Sequence, residues 1–209
     1  MNWFLDMNLI VYYSLEMGHP LEEKARLFLK KKGNSKFFLC EYIQKENLPR
    51  WLKRQEEILR MFNASVSGQQ IGESEIYLFG KDKIFLNRLI LMHKNSKDKE
   101  KFKLNINKIF SFVNIKSKLF LEKYIDKFVI PIKDIHFELF SSLNTYLQNI
   151  SDAKTIASGI QEHQGNKLTL ITADKKDWTK ELIEEVHNDI VLSKKYVSLP
   201  KVEYLQNFN

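Results

Sequence analysis

Three aspartates stand where carboxylates can be gathered at one place. Asp6 follows the short apolar run Trp3-Phe4-Leu5, and Asp174 follows the run Leu170-Ile171-Thr172-Ala173, so each sits at the C-terminal end of a predicted strand. In an open parallel sheet, ligands bind outside those ends. Asp152 follows Ser151, a residue type suited to capping a helix N-terminus, which puts its carboxylate in a first helical turn able to face the same rim. Carboxylates that converge without lysine or arginine partners repel one another, and a divalent cation is what normally neutralises such a set. Magnesium or manganese suits all-oxygen ligands, and either ion can activate a water for attack on a phosphodiester and stabilise charge on the leaving oxygen. Taken singly, each acid has a structural explanation: helix capping for Asp152, ordinary turn chemistry for an aspartate at a strand end.

Placing these acids on one rim requires strands that alternate with helices. After the Trp3–Leu5 strand, apolar residues recur at helical intervals from Met7 to Met17, until Gly18-His19-Pro20 stops them. A second helix fits Leu21 to Lys32, with Leu21, Ala25, Phe28 and Leu29 on one face, and Phe37–Cys40 reads as a buried strand. Pro49 predicts a break or kink in the helix after it, with helical character resuming from Arg50 to Phe62. Asn63 to Glu75, rich in Gly, Ser and Gln, reads as a loop, and Lys81 to about Asp126 as basic helices. In those helices Lys94, Lys97, Lys99, Lys101, Lys103, Lys108, Lys116, Lys118 and Lys123 interleave with an inward set of Phe102, Ile106, Ile109, Phe110, Val113 and Phe120. Phe128–Ile132 is the next strand, followed by helices at about Ile135–Gln148 and Ser151–Gln164. A strand over Lys167–Thr172, a helix holding Trp178, Leu182 and Val186, and a last strand at Ile190–Leu192 complete the series. The expected fold is α/β, a three-layer α/β/α arrangement around a mainly parallel sheet with a helical insertion.

With 209 residues the chain has the length for one such domain over 1–209, with a loop and basic helical insertion at about 63–126, and for a core burying roughly 70% of the unfolded surface. Its one cysteine, Cys40, excludes an intrachain disulfide and a cysteine zinc site, so a metal would be held by oxygen or histidine. A formal net charge of +7 suits a polyanionic partner, although a lysine-rich face is as readily explained by solvation alone. The N-terminus lacks a basic lead and long apolar run, and no stretch reaches the roughly 20 apolar residues of a membrane span. The expectation is a cytoplasmic protein with no membrane association.

Phe4-Leu5-Asp6-Met7-Asn8, Ser151-Asp152-Ala153-Lys154-Thr155-Ile156-Ala157 and Leu170-Ile171-Thr172-Ala173-Asp174-Lys175-Lys176-Asp177-Trp178 together resemble the PIN-domain nucleases, including VapC-type toxin ribonucleases. The first piece is similar to that family's opening strand and acid, the second to its Asp-Ala helix start, the third to its Thr-x-Asp strand end with an aromatic four positions on. The resemblance covers Trp3–Cys40 and Val129–Leu192 and thins between Phe62 and Asp126. It implies a second acid on the helix after the second strand, which lands on Glu46, with Glu41 the competing candidate, and it makes Asp177 an additional metal ligand. Thr172 and Asn8 would orient Asp6 and Asp174. The implied activity is a Mg2+- or Mn2+-dependent endoribonuclease using Asp6, Glu46, Asp152 and Asp174, leaving 5′-phosphate and 3′-hydroxyl ends. The implied partners are RNA and, for a toxin, an antitoxin protein, with the insertion as a substrate platform, antitoxin groove or homodimer surface. A haloacid-dehalogenase-type phosphatase also opens on a strand-end aspartate, but has another Asp two residues on, where this chain has Asn8. A PIN-like scaffold that binds RNA or protein without cutting is the non-enzymatic alternative.

Overall fold

A computed structural model describes residues 1–31, 33–70 and 76–208, and within them the chain falls into two compact units: Met1–Leu48 with Ser117–Asn209, and Pro49–Lys116. The first unit is built on five strands, β1 (Asn2–Leu5), β2 (Lys36–Cys40), β3 (Lys127–Val129), β4 (Leu168–Thr172) and β5 (Lys201–Tyr204), all parallel, in the order β3-β2-β1-β4-β5. The order reverses direction between β1 and β4. Parallel neighbours need crossover connections, and right-handed crossovers place those on the β3 side and those on the β5 side of this reversal on opposite faces. On one face lie α1 (Met7–Ser14) and α2 (Pro20–Lys30); on the other, α6 (Phe137–Leu147) packs on α7 (Ile150–Asn166). This is the α/β/α layering expected from the sequence.

The strands form because short runs of bulky apolar residues are covered on both faces. Phe4, Leu5, Phe37, Leu39, Leu170 and Ile171 are completely buried. Phe28 of α2 stacks on Phe37 at 5.3 Å and meets Trp3 edge-on at 5.2 Å and Phe208 at 4.9 Å, closing one face of the sheet. The other face depends on a missing side chain. A Cβ at Gly159 of α7 would stand 2.8 Å from Leu170 Cδ2 and 3.3 Å from two Phe4 ring carbons, so only glycine lets α7 lie this close to β1 and β4.

The second unit is helical: α3 (Leu48–Val66) from Pro49 onward, α4 (Gly80–Asn95), and α5 (Lys99–Tyr124) as far as Lys116. Phe62, His93 and Phe102 cluster with ring separations of 6.0 to 6.4 Å, and Phe85 stacks on Phe110. Arg54 pairs with Asp82 at 3.2 Å and lies over the Phe79 ring. Ile106, Phe110 and Val113 are buried, while Lys94, Lys97, Lys99, Lys101 and Lys108 are exposed, giving the apolar inner and basic outer faces that the spacing predicts.

Several boundaries depart from the sequence reading. Ile190–Leu192 is not a strand but part of α9 (Ile190–Lys195), because the Asp189 side chain accepts from the N–H groups of Val191 and Leu192 and caps a helix there. The last strand is β5, whose polar Lys-Val-Glu-Tyr pattern suits the edge it occupies. Pro49 does not break the chain's helical course; a π-helical turn over Ile43–Asn47, with the Leu48 N–H reaching back to the Ile43 carbonyl, precedes it. Asn63–Val66 of the expected loop belong to α3, and its residues 71–75 lie outside the described residues. Trp178 precedes α8 (Lys180–Glu184) instead of lying in it, and β3 is three residues long, not five. The expected 63–126 insertion overlaps the second unit, which starts earlier, at Pro49, and ends earlier, at Lys116.

Candidate metal centre

The acids collect where the strand order reverses. Register aligns Leu5 with Ile171, so the next residues, Asp6 and Thr172, lie side by side, and the Asp6 N–H continues the pairing by donating to the Ile171 carbonyl at 3.0 Å. The Thr172 hydroxyl donates to Asp6 Oδ2 at 2.6 Å, and Asn8 Nδ2 donates to the same oxygen at 2.7 Å. Thr172 Oγ1 also accepts the Asp174 N–H at 2.9 Å, so one hydroxyl fixes both strand-end aspartates. The other Asp6 oxygen is left clear of these two donors.

Asp152 arrives from the opposite layer. The cap of α7 is Asn149 and not Ser151: the Asn149 side chain accepts from the N–H groups of Ser151 and Asp152, and its Nδ2 donates to Asp152 Oδ2. Ser151 instead accepts from Asn47 Nδ2 at 2.7 Å, tying the π-helical turn to the start of α7. Asp152 Oδ1 takes the indole N–H of the fully buried Trp178 at 3.2 Å. Asp174 Oδ1 accepts from the N–H groups of Lys176 and Asp177, closing a tight turn that brings Asp177 back to the rim. The Trp178 bond was not foreseen from the sequence; its signal is an aromatic donor just after a turn of acids.

Carboxylate oxygens of Asp152, Asp174 and Asp177 lie within 4.8 Å of one another, and this half-buried group could hold a metal ion. Among the described residues it is the one group of three or more potential ligands at that spacing, and Asp6 and Glu46 stand outside it. Asp6, only 4% exposed, nevertheless feels the cluster. Burial and then the charge of Asp152 push its carboxyl up to about 7, against the lowering effect of the Thr172 hydroxyl and the Met7 N–H, with Asp174 adding to the rise. Among the described residues no lysine or arginine pairs with Asp6, Asp174 or Asp177. A cation held by these oxygens would offset part of the charge of the three carboxylates.

The two candidates on the segment after β2 differ in what they do. Glu41 accepts from the Ile132 N–H at 2.9 Å and pairs with Lys45, contacts that hold its carboxyl below the usual range and commit it to the turn beyond β3. Glu46 is half-buried on the π-helical turn, next to the Asn47 that reaches α7. No helix among the described residues is long and apolar enough to cross a membrane. Compared with family models, curated proteins and solved structures, the chain matches none.

Proposed function

We propose that this protein is a Mg2+- or Mn2+-dependent endoribonuclease of the PIN type. The observation that carries the reading is the convergence of Asp152, Asp174 and Asp177 beside a buried Asp6, at the strand-order reversal of a parallel sheet. Asp152, Asp174 and Asp177 would hold the cation, with Asp6 sharing it or a second ion and Glu46 as a further ligand from the π-helical turn. Bound there, the ion would supply a water nucleophile at neutral pH and charge compensation at the scissile phosphate. Asp6, held by Thr172 and Asn8 through one oxygen, presents the other in a fixed direction. Trp178 and Asn149 fix Asp152 from two sides, so the rim is set before substrate arrives. The exposed lysines of the second unit supply positive charge suited to an RNA backbone, which makes binding weaken with salt. A toxin working against an antitoxin partner is one setting for such an enzyme.

The test is cleavage of single-stranded RNA with Mg2+ or Mn2+. Wild type is expected to leave 5′-phosphate and 3′-hydroxyl ends, and Asp6→Asn and Asp174→Asn are expected to lose activity by at least about 100-fold, the scale of losing a group that stabilises transition-state charge. Full metal-dependent cleavage by either variant refutes the assignment. Metal binding without cleavage of any RNA would favour the non-cutting scaffold.

A further inference from the structure

Beyond the carboxylates, the loop between α1 and α2 carries a second recognisable arrangement. Tyr12 of α1 lies face to face with His19, ring centroids 5.0 Å apart and planes 25° from parallel. Tyr12 belongs to the helix that Asp6 opens, and burial followed by the charges of Asp6, Asp174 and Glu22 pushes its phenol up. His19 is exposed, and its ring is held by Nδ1, which accepts the Leu21 N–H at 3.2 Å. The loop beneath it is held too, because the buried Glu22 carboxylate accepts from the N–H groups of Met17 and Gly18 at 2.8 and 3.0 Å. Gly18 adopts φ 81°, a conformation glycine takes without strain.

His19 also lines an open cleft of about 420 Å3 with Pro20, Glu23, Arg26 and Lys30. Arg26 shares its charge with Glu16 at 3.6 Å, and Lys30 is exposed. An aromatic ring backed on one side by another ring and fixed by a backbone hydrogen bond is the chemistry that receives an unpaired nucleobase, and Arg26 and Lys30, which share the cleft with the Glu22 and Glu23 carboxylates, offer cations for its phosphate.

We infer that His19, stacked on Tyr12, is the platform for one unpaired base of the substrate strand, with Arg26 and Lys30 receiving the adjoining phosphate. This deepens the ribonuclease reading and rests on it for the identity of the ligand as RNA. It makes the substrate single-stranded at this point, because a base within a duplex cannot present its face to His19.

The test separates stacking from capping. His19→Asn keeps an acceptor for the Leu21 N–H but removes the ring; His19→Phe keeps a ring and removes the acceptor. Each protein is titrated in EDTA, so that nothing is cut, with a fluorescein-labelled single-stranded oligoadenylate of about 12 nucleotides and with the same strand as a duplex. The inference expects the single strand to bind wild type and His19→Phe within about two-fold of each other, His19→Asn roughly ten-fold more weakly, and the duplex to be indifferent to both substitutions. Equal affinity of wild type and His19→Asn, equal weakening by both variants, or no binding of the single strand to wild type would overturn it. Cleavage in Mn2+ is read separately: an uncut strand that still shows the His19 ring dependence sinks the nuclease reading and leaves the base platform standing.

Discussion

Replacing Asp6 by asparagine should make the metal-free protein more stable at neutral pH. The Asp6 carboxyl goes from 3.8 to about 7 on folding, a change worth roughly 4 kcal/mol at about 1.4 kcal/mol per pH unit. The sign follows from proton uptake: the folded state binds this proton more tightly than the unfolded chain does. The favourable contribution is therefore complete below about pH 4 and is lost as pH rises through about 7. Asparagine has no charge to bury, and its carbonyl oxygen can take the place of Oδ2, accepting from Asn8 and Thr172 as the carboxylate does. Urea denaturation in EDTA, followed by tryptophan fluorescence, should find the two proteins close in stability near pH 4. Near pH 8 the variant should be more stable by up to about 4 kcal/mol. Added Mn2+ should narrow the difference at the higher pH, since a ligand at a hundred times its dissociation constant stabilises wild type by about 2.7 kcal/mol and the variant lacks the Asp6 carboxylate to share it. A variant less stable than wild type at both pH values, or a stability difference that does not change with pH, would show that burial does not raise the Asp6 carboxyl.

Other perturbations have equally definite outcomes. Thr172→Val removes the hydroxyl that donates to Asp6 and accepts from the Asp174 N–H; calorimetry should find Mn2+ bound at least about ten-fold more weakly, with about 1–3 kcal/mol of stability lost in urea. Trp178→Phe deletes the indole donor to Asp152 and should weaken Mn2+ by about ten-fold while far-ultraviolet circular dichroism is unchanged. Gly159→Ala puts a methyl 2.8 Å from Leu170 Cδ2, and urea denaturation should report a loss of about 1–3 kcal/mol. Glu41→Gln, at a residue occupied with Lys45 and the Ile132 N–H, should leave Mn2+ affinity within about two-fold, whereas Glu46→Gln should lower it by at least about ten-fold.

What could be read from the sequence was whatever depends on local pattern. Asp6 and Asp174 were visible because a buried strand is a short apolar run and the residue after it must face the rim. Asp152 was visible through the polar residues that start a helix, although the cap lies at Asn149, two positions before the serine that a simple pattern favours. The Ile-Val-Leu run at 190–192 misled because β-branched residues read as strand, while one Asp189 cap and solvent on Ile190 and Val191 decide for helix. The edge strand Lys201–Tyr204 was missed for the complementary reason: half-buried edges need little apolar content. Long-range partners left no local trace. Trp178 reaching Asp152, Asn47 reaching Ser151 and the absent Cβ of Gly159 against Phe4 each join residues between 26 and 155 positions apart. The unit boundary at Pro49 was marked by the proline, but not as a boundary, because a π-helical turn carries the helix past it.

Every role proposed for these carboxylates depends on a divalent metal held among them. Crystals of the wild-type protein soaked in Mn2+, with data collected at the manganese edge, would locate that metal. An anomalous peak is expected in contact with the carboxylates of Asp152, Asp174 and Asp177, and is expected to vanish in Asp174→Asn. Full Mn2+ soaking with no peak on those oxygens, or with peaks only elsewhere on the surface, would contradict that expectation.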